Sequence, residues 1–269
     1  MKRRQAVILA GGMGTRLRAS TGELPKPLVP VGGKPFLRWL VELLRDRGMT
    51  QALLLTGHRA ELIHEHFARH PVDGIEVAWS QELSPLGTGG AVRQAAPLLD
   101  ERFVLVNGDT YLDVDYAALL AQAAPEGALA TMVVYLATGA ARGEHGERGA
   151  LDQPGNVEVG EDGFLTAYRK SAAGAPLPYI DAGVAVWSRE VFDRQFAQTG
   201  ACSLEADVFP ALIARRQLWS QESPTRFYDI GTPERLAAFE AAAARGASSE
   251  RRISDSISTA RTPQLRQKP

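Results

Sequence analysis

Ala6-Val7-Ile8-Leu9-Ala10 runs straight into Gly11-Gly12-Met13-Gly14-Thr15-Arg16, and Pro25-Lys26-Pro27-Leu28-Val29-Pro30-Val31 follows shortly after. An apolar strand opening into a glycine-rich turn is the start of an α/β fold that handles phosphate. Glycines let backbone N–H groups form a concave nest around phosphate oxygens, while Thr15 adds a hydroxyl donor and Arg16 a forked cation. Lys26, set between two prolines, supplies a second cation on a stiff loop. The combination reads as a nucleoside triphosphate site. It is neither of the two common phosphate loops: Gly14-Thr15-Arg16 stands where a P-loop needs Gly-Lys-Ser/Thr, and Leu17 stands where a dinucleotide fingerprint needs its third small residue.

Working outward, short β-rich runs alternate with helical patterns from Val7 to about Val134, the arrangement of βαβ units around a mostly parallel sheet. Phe36, Trp39, Leu40, Leu43 and Leu44 recur at helical spacing, with Pro35 placed for the first helical position and Gly48 for the end. Strands are expected at 52–55, 75–79 and 103–106, with helices over 60–67 and 88–99. Residues 138–163, rich in Gly and charge, read as loops flanking short strands. Strands near 164–168 and 183–187 follow, then a helix through Leu204, Val208, Phe209, Leu212 and Ile213, a strand near Phe227-Tyr228, and a helix from Pro233 to about Arg245. We therefore expect one catalytic domain over 1–245. Residues 246–269, poor in apolar side chains, are expected to be a disordered tail.

Composition narrows the partners. With 269 residues, 45% hydrophobic and 23% charged, the chain can bury one sizeable core. Lys and Arg number 30 against 31 Asp and Glu, which leaves no basic footprint for nucleic acid. Cys202 is the single cysteine, so an internal disulfide is excluded and the thiol reads as structural. The apolar run from Ala6 to Ala10 is too short for a signal peptide or a membrane span, which predicts no membrane partner and a cytoplasmic protein. His64, His66 and His70 lie on or near an amphipathic helix without an HExxH pattern and read as a solvated face.

Two acids complete the expected chemistry. Asp109 follows Phe103-Val104-Leu105-Val106-Asn107-Gly108, where a buried strand leaves the carboxyl edge of the sheet, the side on which open α/β sheets bind ligands. Asp229 lies in Phe227-Tyr228-Asp229-Ile230-Gly231-Thr232-Pro233, again between a strand and a helix start. Both read as ligands for Mg²⁺, which favours one or two carboxylates plus phosphate oxygens and waters.

Together these segments resemble the sugar-1-phosphate nucleotidyltransferases, the nucleotide-sugar pyrophosphorylases, over residues 5 to about 240. The resemblance rests on Leu9 to Leu17, Pro25-Lys26-Pro27, Pro85-Leu86-Gly87-Thr88-Gly89-Gly90-Ala91, Asn107-Gly108-Asp109, Tyr179-Ile180-Asp181-Ala182-Gly183, Ser203-Leu204-Glu205-Ala206-Asp207 and Asp229-Ile230-Gly231-Thr232-Pro233. It implies a GT-A-like, Rossmann-related α/β/α sandwich with a mixed, mostly parallel sheet. It also implies the reaction in which an NTP and a sugar 1-phosphate give an NDP-sugar and pyrophosphate.

In that reading Arg16, Lys26, Asp109 and Asp229 are catalytic, and Asp109 and Asp229 hold Mg²⁺. Leu9, Ala10, Gly11, Gly12, Gly14 and Thr15 join Arg16, Lys26 and Asp109 in binding the nucleotide, and Glu82, Gly87 and Thr88 lie in the segment that reads the base. A carboxylate at Glu82 can accept both N1–H and the exocyclic amine of guanine, so GTP is favoured, with UTP and dTTP as alternatives. Gly149, Lys170, Asp181, Ala182 and Gly183 are implied for the sugar. Two residues depart from the family pattern, Arg169 where many members have Glu and Asp181 where they have Asn. The motif details look most like the heptose 1-phosphate guanylyltransferases; mannose, glucose and N-acetylmuramate 1-phosphates stay open, as does homo-oligomerisation. The competing readings are a non-catalytic nucleotide-sugar sensor and a nucleotidyltransferase acting on another acceptor.

Overall fold

The computed structural model describes residues 3–12, 24–137, 154–169, 175–196 and 200–245. Its strands are β1 (Gln5–Leu9), β2 (Pro30–Val31), β3 (Lys34–Pro35), β4 (Gln51–Thr56), β5 (Glu76–Gln81), β6 (Arg102–Asn107) and β7 (Thr110–Tyr111). They continue with β8 (Ala130–Leu136), β9 (Val157–Val159), β10 (Leu165–Tyr168), β11 (Tyr179–Ser188), β12 (Leu218–Glu222) and β13 (Tyr228–Asp229). Pairing runs β12, β8, β11, β6, β1, β4, β5 across the main sheet, with the β9–β10 hairpin attached to β11. Strands β1, β4, β5 and β6 are mutually parallel, β11 runs against both β6 and β8, and β12 is parallel to β8. The sheet is mixed and mostly parallel. Because β1 pairs β4 on one side and β6 on the other, the strand order reverses there, and such a switch point opens a crevice at the carboxyl ends of the two strands.

Alternation along the central strands builds two cores. Ala6 and Ile8 of β1, Ala52 and Leu54 of β4, and Val104 and Val106 of β6 face one side. There Leu37, Leu40, Val41 and Leu44 of the helix Phe36–Asp46 and Ile63 and Phe67 of the helix Ala60–Arg69 cover them. Val7, Leu53, Leu55, Phe103 and Leu105 face the other side, beneath Val92 of the helix Gly87–Gln94 and Val208, Phe209 and Leu212 near the helix Phe209–Ala214. Each fully buried leucine contributes about 1.5–3 kcal/mol, so the two apolar faces fix the α/β/α layering.

A third cluster joins Val29, Val31, Phe36, Ile230 and Phe239, tying the Lys26 loop to the segment after Asp229. Phe239, from the helical residues 233–245, meets the rings of Phe36 at 5.1 Å and Tyr111 at 4.9 Å.

Several expectations are adjusted. Pro35 caps the helix Phe36–Asp46 from outside instead of occupying its first turn, and Gly48 ends it at φ +88° as read from the sequence. The helix expected over 88–99 stops at Gln94 and gives way to a tight turn at Ala96–Leu98, because Pro97 cannot supply the next backbone donor. The single helix expected through Ile213 is a wide turn at Leu204–Val208 followed by Phe209–Ala214, with Pro210 at the junction. Strand β12 had no counterpart in the sequence reading. His64 and His66 are half-buried: His64 stacks on Trp79 at 4.5 Å and shares a 3.0 Å hydrogen bond with Thr56 Oγ1. The tail over 246–269 lies outside the described residues.

Candidate active site

The switch point opens into a cleft of about 820 Å³. Its floor is made where β1 and β6 end side by side. Gly108 N–H donates to the Leu9 carbonyl at 3.1 Å, and a Cβ on Gly108 would lie only 2.3 Å from that oxygen, so glycine is required for the two strand ends to meet. Leu9, Gly11, Gly12 and Asp109 wall this part of the cleft, while Ala10 is buried beneath it.

Glu82 forms one wall. Its backbone is fixed by a 2.9 Å bond from its N–H to the Thr56 carbonyl, and its Oε2 accepts the Leu86 N–H at 2.9 Å. Its Oε1 lies 3.1 Å from where a Cβ on Gly11 would sit and 2.7 Å from the same position on Gly57. Two glycines thus make room for one carboxylate, and the bond from Leu86 N–H sets its direction. Arg59, also on this wall, adopts the left-handed region at φ 55° as it caps the helix Ala60–Arg69. Strain of that kind in a cleft residue is a functional signal. Sequence reading passed over it, although Gly57-His58-Arg59 leaves β4 at the same carboxyl edge as the other loops.

Gly87 and Thr88 open the helix on the next wall. Gly87 has φ +74° and packs against the Cys202 carbonyl, 2.6 Å from its would-be Cβ, and Cys202 N–H donates to the Leu86 carbonyl at 2.8 Å. This contact delivers Glu205 to the cleft. Thr88 Oγ1 donates to Glu205 Oε2 at 3.1 Å and accepts the Leu204 N–H at 2.8 Å, and Ser203 Oγ donates to the same carboxylate at 2.7 Å. Glu205 was legible only as part of a motif, with no role attached. Burial raises the pKa of the Cys202 thiol, which suits the structural part expected for it.

Opposite, the prolines flanking Lys26 hold a tight turn at Lys26–Leu28, and Lys26 Nζ forms an ion pair with Asp109 Oδ2. Strand β13 lies antiparallel to β7 with Asp229 across from Thr110, and Ile230 N–H donates to the Asp109 carbonyl at 3.0 Å. The two acid-bearing segments are therefore neighbours. Asp229 Oδ1 accepts the Gly231 N–H at 2.8 Å, and Arg235 Nη1 spans both of its oxygens at 3.2 and 3.1 Å. Gly231 walls the cleft and Asp229 sits just behind it. No group of three or more His, Cys, Asp or Glu able to hold a metal occurs among the described residues. Two hard carboxylates on adjacent backbone, with the remaining ligands left to phosphate and water, are a donor set that fits Mg²⁺.

Asp181, Ala182 and Gly183, the residues expected to meet the sugar, are set back from the cleft wall. Gly183 has φ +71° and abuts Thr110 and Asn107, its would-be Cβ 2.7 Å from Thr110 Oγ1. This sits at an irregularity in the β11–β8 register. Asp181 Oδ1 accepts the Gly183 N–H at 2.9 Å, and Tyr168 points its hydroxyl at Oδ2 from 3.5 Å. Burial pushes the Asp181 carboxyl up to about 6, with the nearby Glu205 charge adding to the rise and the Gly183 N–H opposing it. Gly14, Thr15, Arg16, Gly149 and Lys170 lie outside the described residues.

Residues 5–146 match the family model described as nucleotidyl transferase. The chain belongs to that family. This nucleotidyltransferase has the GT-A-like fold of its structural neighbours, and its family generally uses a divalent metal. D-glycero-alpha-D-manno-heptose 1-phosphate guanylyltransferase of Campylobacter jejuni is 29% identical over 233 residues, covering 86% of this chain and 96% of the relative. Mannose-1-phosphate guanylyltransferase of Mycobacterium tuberculosis is 31% identical over 244 residues, covering 90% of this chain and 65% of the relative. Among solved structures, HddC from Yersinia pseudotuberculosis superposes with a TM-score of 0.72 at 27% identity, covering 87% of this chain and 97% of HddC. The same protein has been crystallised in complex with GMP-PN. No helix among the described residues is long and apolar enough to cross a membrane.

Proposed function

We propose that this nucleotidyltransferase transfers GMP from GTP to a heptose 1-phosphate, releasing pyrophosphate and forming a GDP-heptose. The observation that carries the choice of base is Glu82, whose carboxylate is seated against Gly11 and Gly57 in the cleft. Guanine presents N1–H and its amine side by side to such an acceptor. Uracil and thymine present one N–H flanked by carbonyl oxygens that a carboxylate repels. The heptose and mannose guanylyltransferases among the relatives, and the neighbour crystallised with GMP-PN, support the same base.

In this reading Leu9, Ala10, Gly11, Gly12, Gly14 and Thr15 bring backbone and hydroxyl donors to the nucleotide, and Glu82, Gly87 and Thr88 fix the base. Arg16 and Lys26 face the polyphosphate and stabilise charge on it as the 1-phosphate oxygen of the sugar attacks the α-phosphorus and pyrophosphate leaves in line. Asp109 and Asp229 hold Mg²⁺, which when bound supplies charge neutralisation across the phosphates. Lys26, pre-aimed by its ion pair with Asp109, needs only to turn to the phosphate. Gly149 and Lys170 contact the sugar, Asp181, Ala182 and Gly183 support its end of the cleft from behind the wall, and the catalytic domain comprises residues 1–245 of a cytoplasmic protein. The test is pyrophosphate release from each of GTP, UTP, dTTP and CTP with a panel of sugar 1-phosphates. GTP with heptose 1-phosphate is expected to be fastest; silence with every pair overturns the reading.

A further inference from the structure

Each of the two acids assigned to the metal already has a cation of this chain upon it. Lys26 pairs with Asp109, and Arg235 pairs with Asp229. A cation in contact with each of these carboxylates offsets its charge and weakens its pull on a divalent ion. The two pairs differ in how readily they open. Lys26 is 14% exposed at the side chain, whereas Arg235 is 32% exposed and meets Asp229 through one nitrogen straddling both oxygens, without the parallel two-nitrogen fork that makes Arg–carboxylate pairs strong. Its Nη1 also lies 3.7 Å from where a Cβ on Gly231 would sit, and Gly231 walls the cleft. Swinging off Asp229 brings the guanidinium to the cleft margin.

We propose that Arg235 is a resident counter-ion that holds Asp229 in the nucleotide-free enzyme and releases it when a polyphosphate enters, so that metal binding is coupled to nucleotide binding. The inference rests on the assignment of Asp109 and Asp229 to the metal. A triphosphate offers Arg235 and Lys26 a denser anion than either carboxylate. Once both cations shift to the phosphates, the two carboxylates face the metal that arrives with the nucleotide. Arg235 is thus a positioning residue acting through Asp229, and its removal leaves that carboxylate without its counter-ion before any nucleotide is present.

Manganese binding to the full chain without nucleotide, followed by the loss of the free-ion electron paramagnetic resonance signal, tests this directly. Arg235→Gln is expected to bind Mn²⁺ roughly tenfold tighter than the unaltered protein, the scale of removing one like charge next to a partly exposed site. Arg235→Lys is expected to restore affinity to within about threefold of the original, since the charge is kept. The Arg235→Gln, Asp229→Asn double variant is expected to lose the gain. Equal Mn²⁺ affinity in Arg235→Gln and the unaltered protein overturns the role of Arg235. Undiminished turnover in Asp109→Asn instead sinks the site assignment beneath it, so the two failures are distinguishable. Should Arg235→Gln not fold, ¹⁵N resonances of the Arg235 guanidinium in the unaltered protein decide. Hindered rotation in the free state that is released on adding Mg²⁺ and a non-hydrolysable GTP analogue supports the proposal, and signals indifferent to both overturn it.

Discussion

The two sides of the cleft are built by different physics. On the side proposed for the nucleotide, position is set by backbone: Gly108 lets β6 touch Leu9, Gly11 and Gly57 leave room for Glu82, and two prolines stiffen the turn that presents Lys26. On the side proposed for the sugar, position is set by hydrogen bonds from side chains of neighbouring strands, such as Tyr168 and Asn156 with Asp181. Backbone crowding tolerates almost no substitution. A hydrogen-bonded network can be rewired, and the relatives differ in the sugar they are named for.

If that contrast is right, the largest losses come from the nucleotide side. Asp109→Asn should cut turnover ~1,000-fold, the scale of removing one preorganised electrostatic group from a transition state. Pyrophosphate release measures it, and circular dichroism should show an unchanged fold. Gly108→Ala places a methyl 2.3 Å from Leu9 O and should cost about 3 kcal/mol of stability through overpacking. Chemical denaturation measures that loss, and a variant as stable as the parent would break the argument that backbone contact builds the floor.

Smaller effects sharpen the comparison. Glu82→Gln keeps the size of the side chain but turns one acceptor into a donor. It should reduce kcat/KM for GTP relative to UTP by about 10–100-fold, the discrimination ordinarily provided by one paired base-edge contact. On the sugar side, Asp181→Asn should be mild and pH-dependent. Its carboxyl, raised from the ordinary 3.8 to about 6, keeps its proton in the folded chain where the unfolded chain has lost it. Stability therefore falls as pH rises from about 4 to about 6 and is flat above. Asparagine removes that fall. The variant should unfold with a free energy on the order of 1 kcal/mol higher at pH 7.5, converging with the parent toward pH 4, in denaturant melts across that range.

The same division explains what could be read from residues alone. Strand β1, the helix Phe36–Asp46 and Asn107-Gly108-Asp109 were legible because apolar period, proline and glycine act within a few residues of themselves. Gly11, Lys26, Glu82 and Asp109 meet at the cleft the motifs implied. Strand β12, Leu-Trp-Ser-Gln-Glu, was missed because it is short and its last three residues are polar, and it becomes a strand only by lying parallel to β8. The ion pair of Asp229 with Arg235 was also hidden. It depends on how the chain turns through Gly231 from β13 into the residues 233–245, which no local pattern dictates. Asp181 and Gly183 were found as a motif, but their place behind the wall follows from the register shift between β11 and β8.

A crystal structure of the protein with Mg²⁺ and a non-hydrolysable GTP analogue tests the central claim most directly. The expected complex has the Watson–Crick edge of guanine within hydrogen-bond reach of the Glu82 carboxylate, the polyphosphate beside Lys26, and the metal on Asp109. Guanine turned away from Glu82, or a triphosphate seated elsewhere than the β1–β6 switch point, would contradict it.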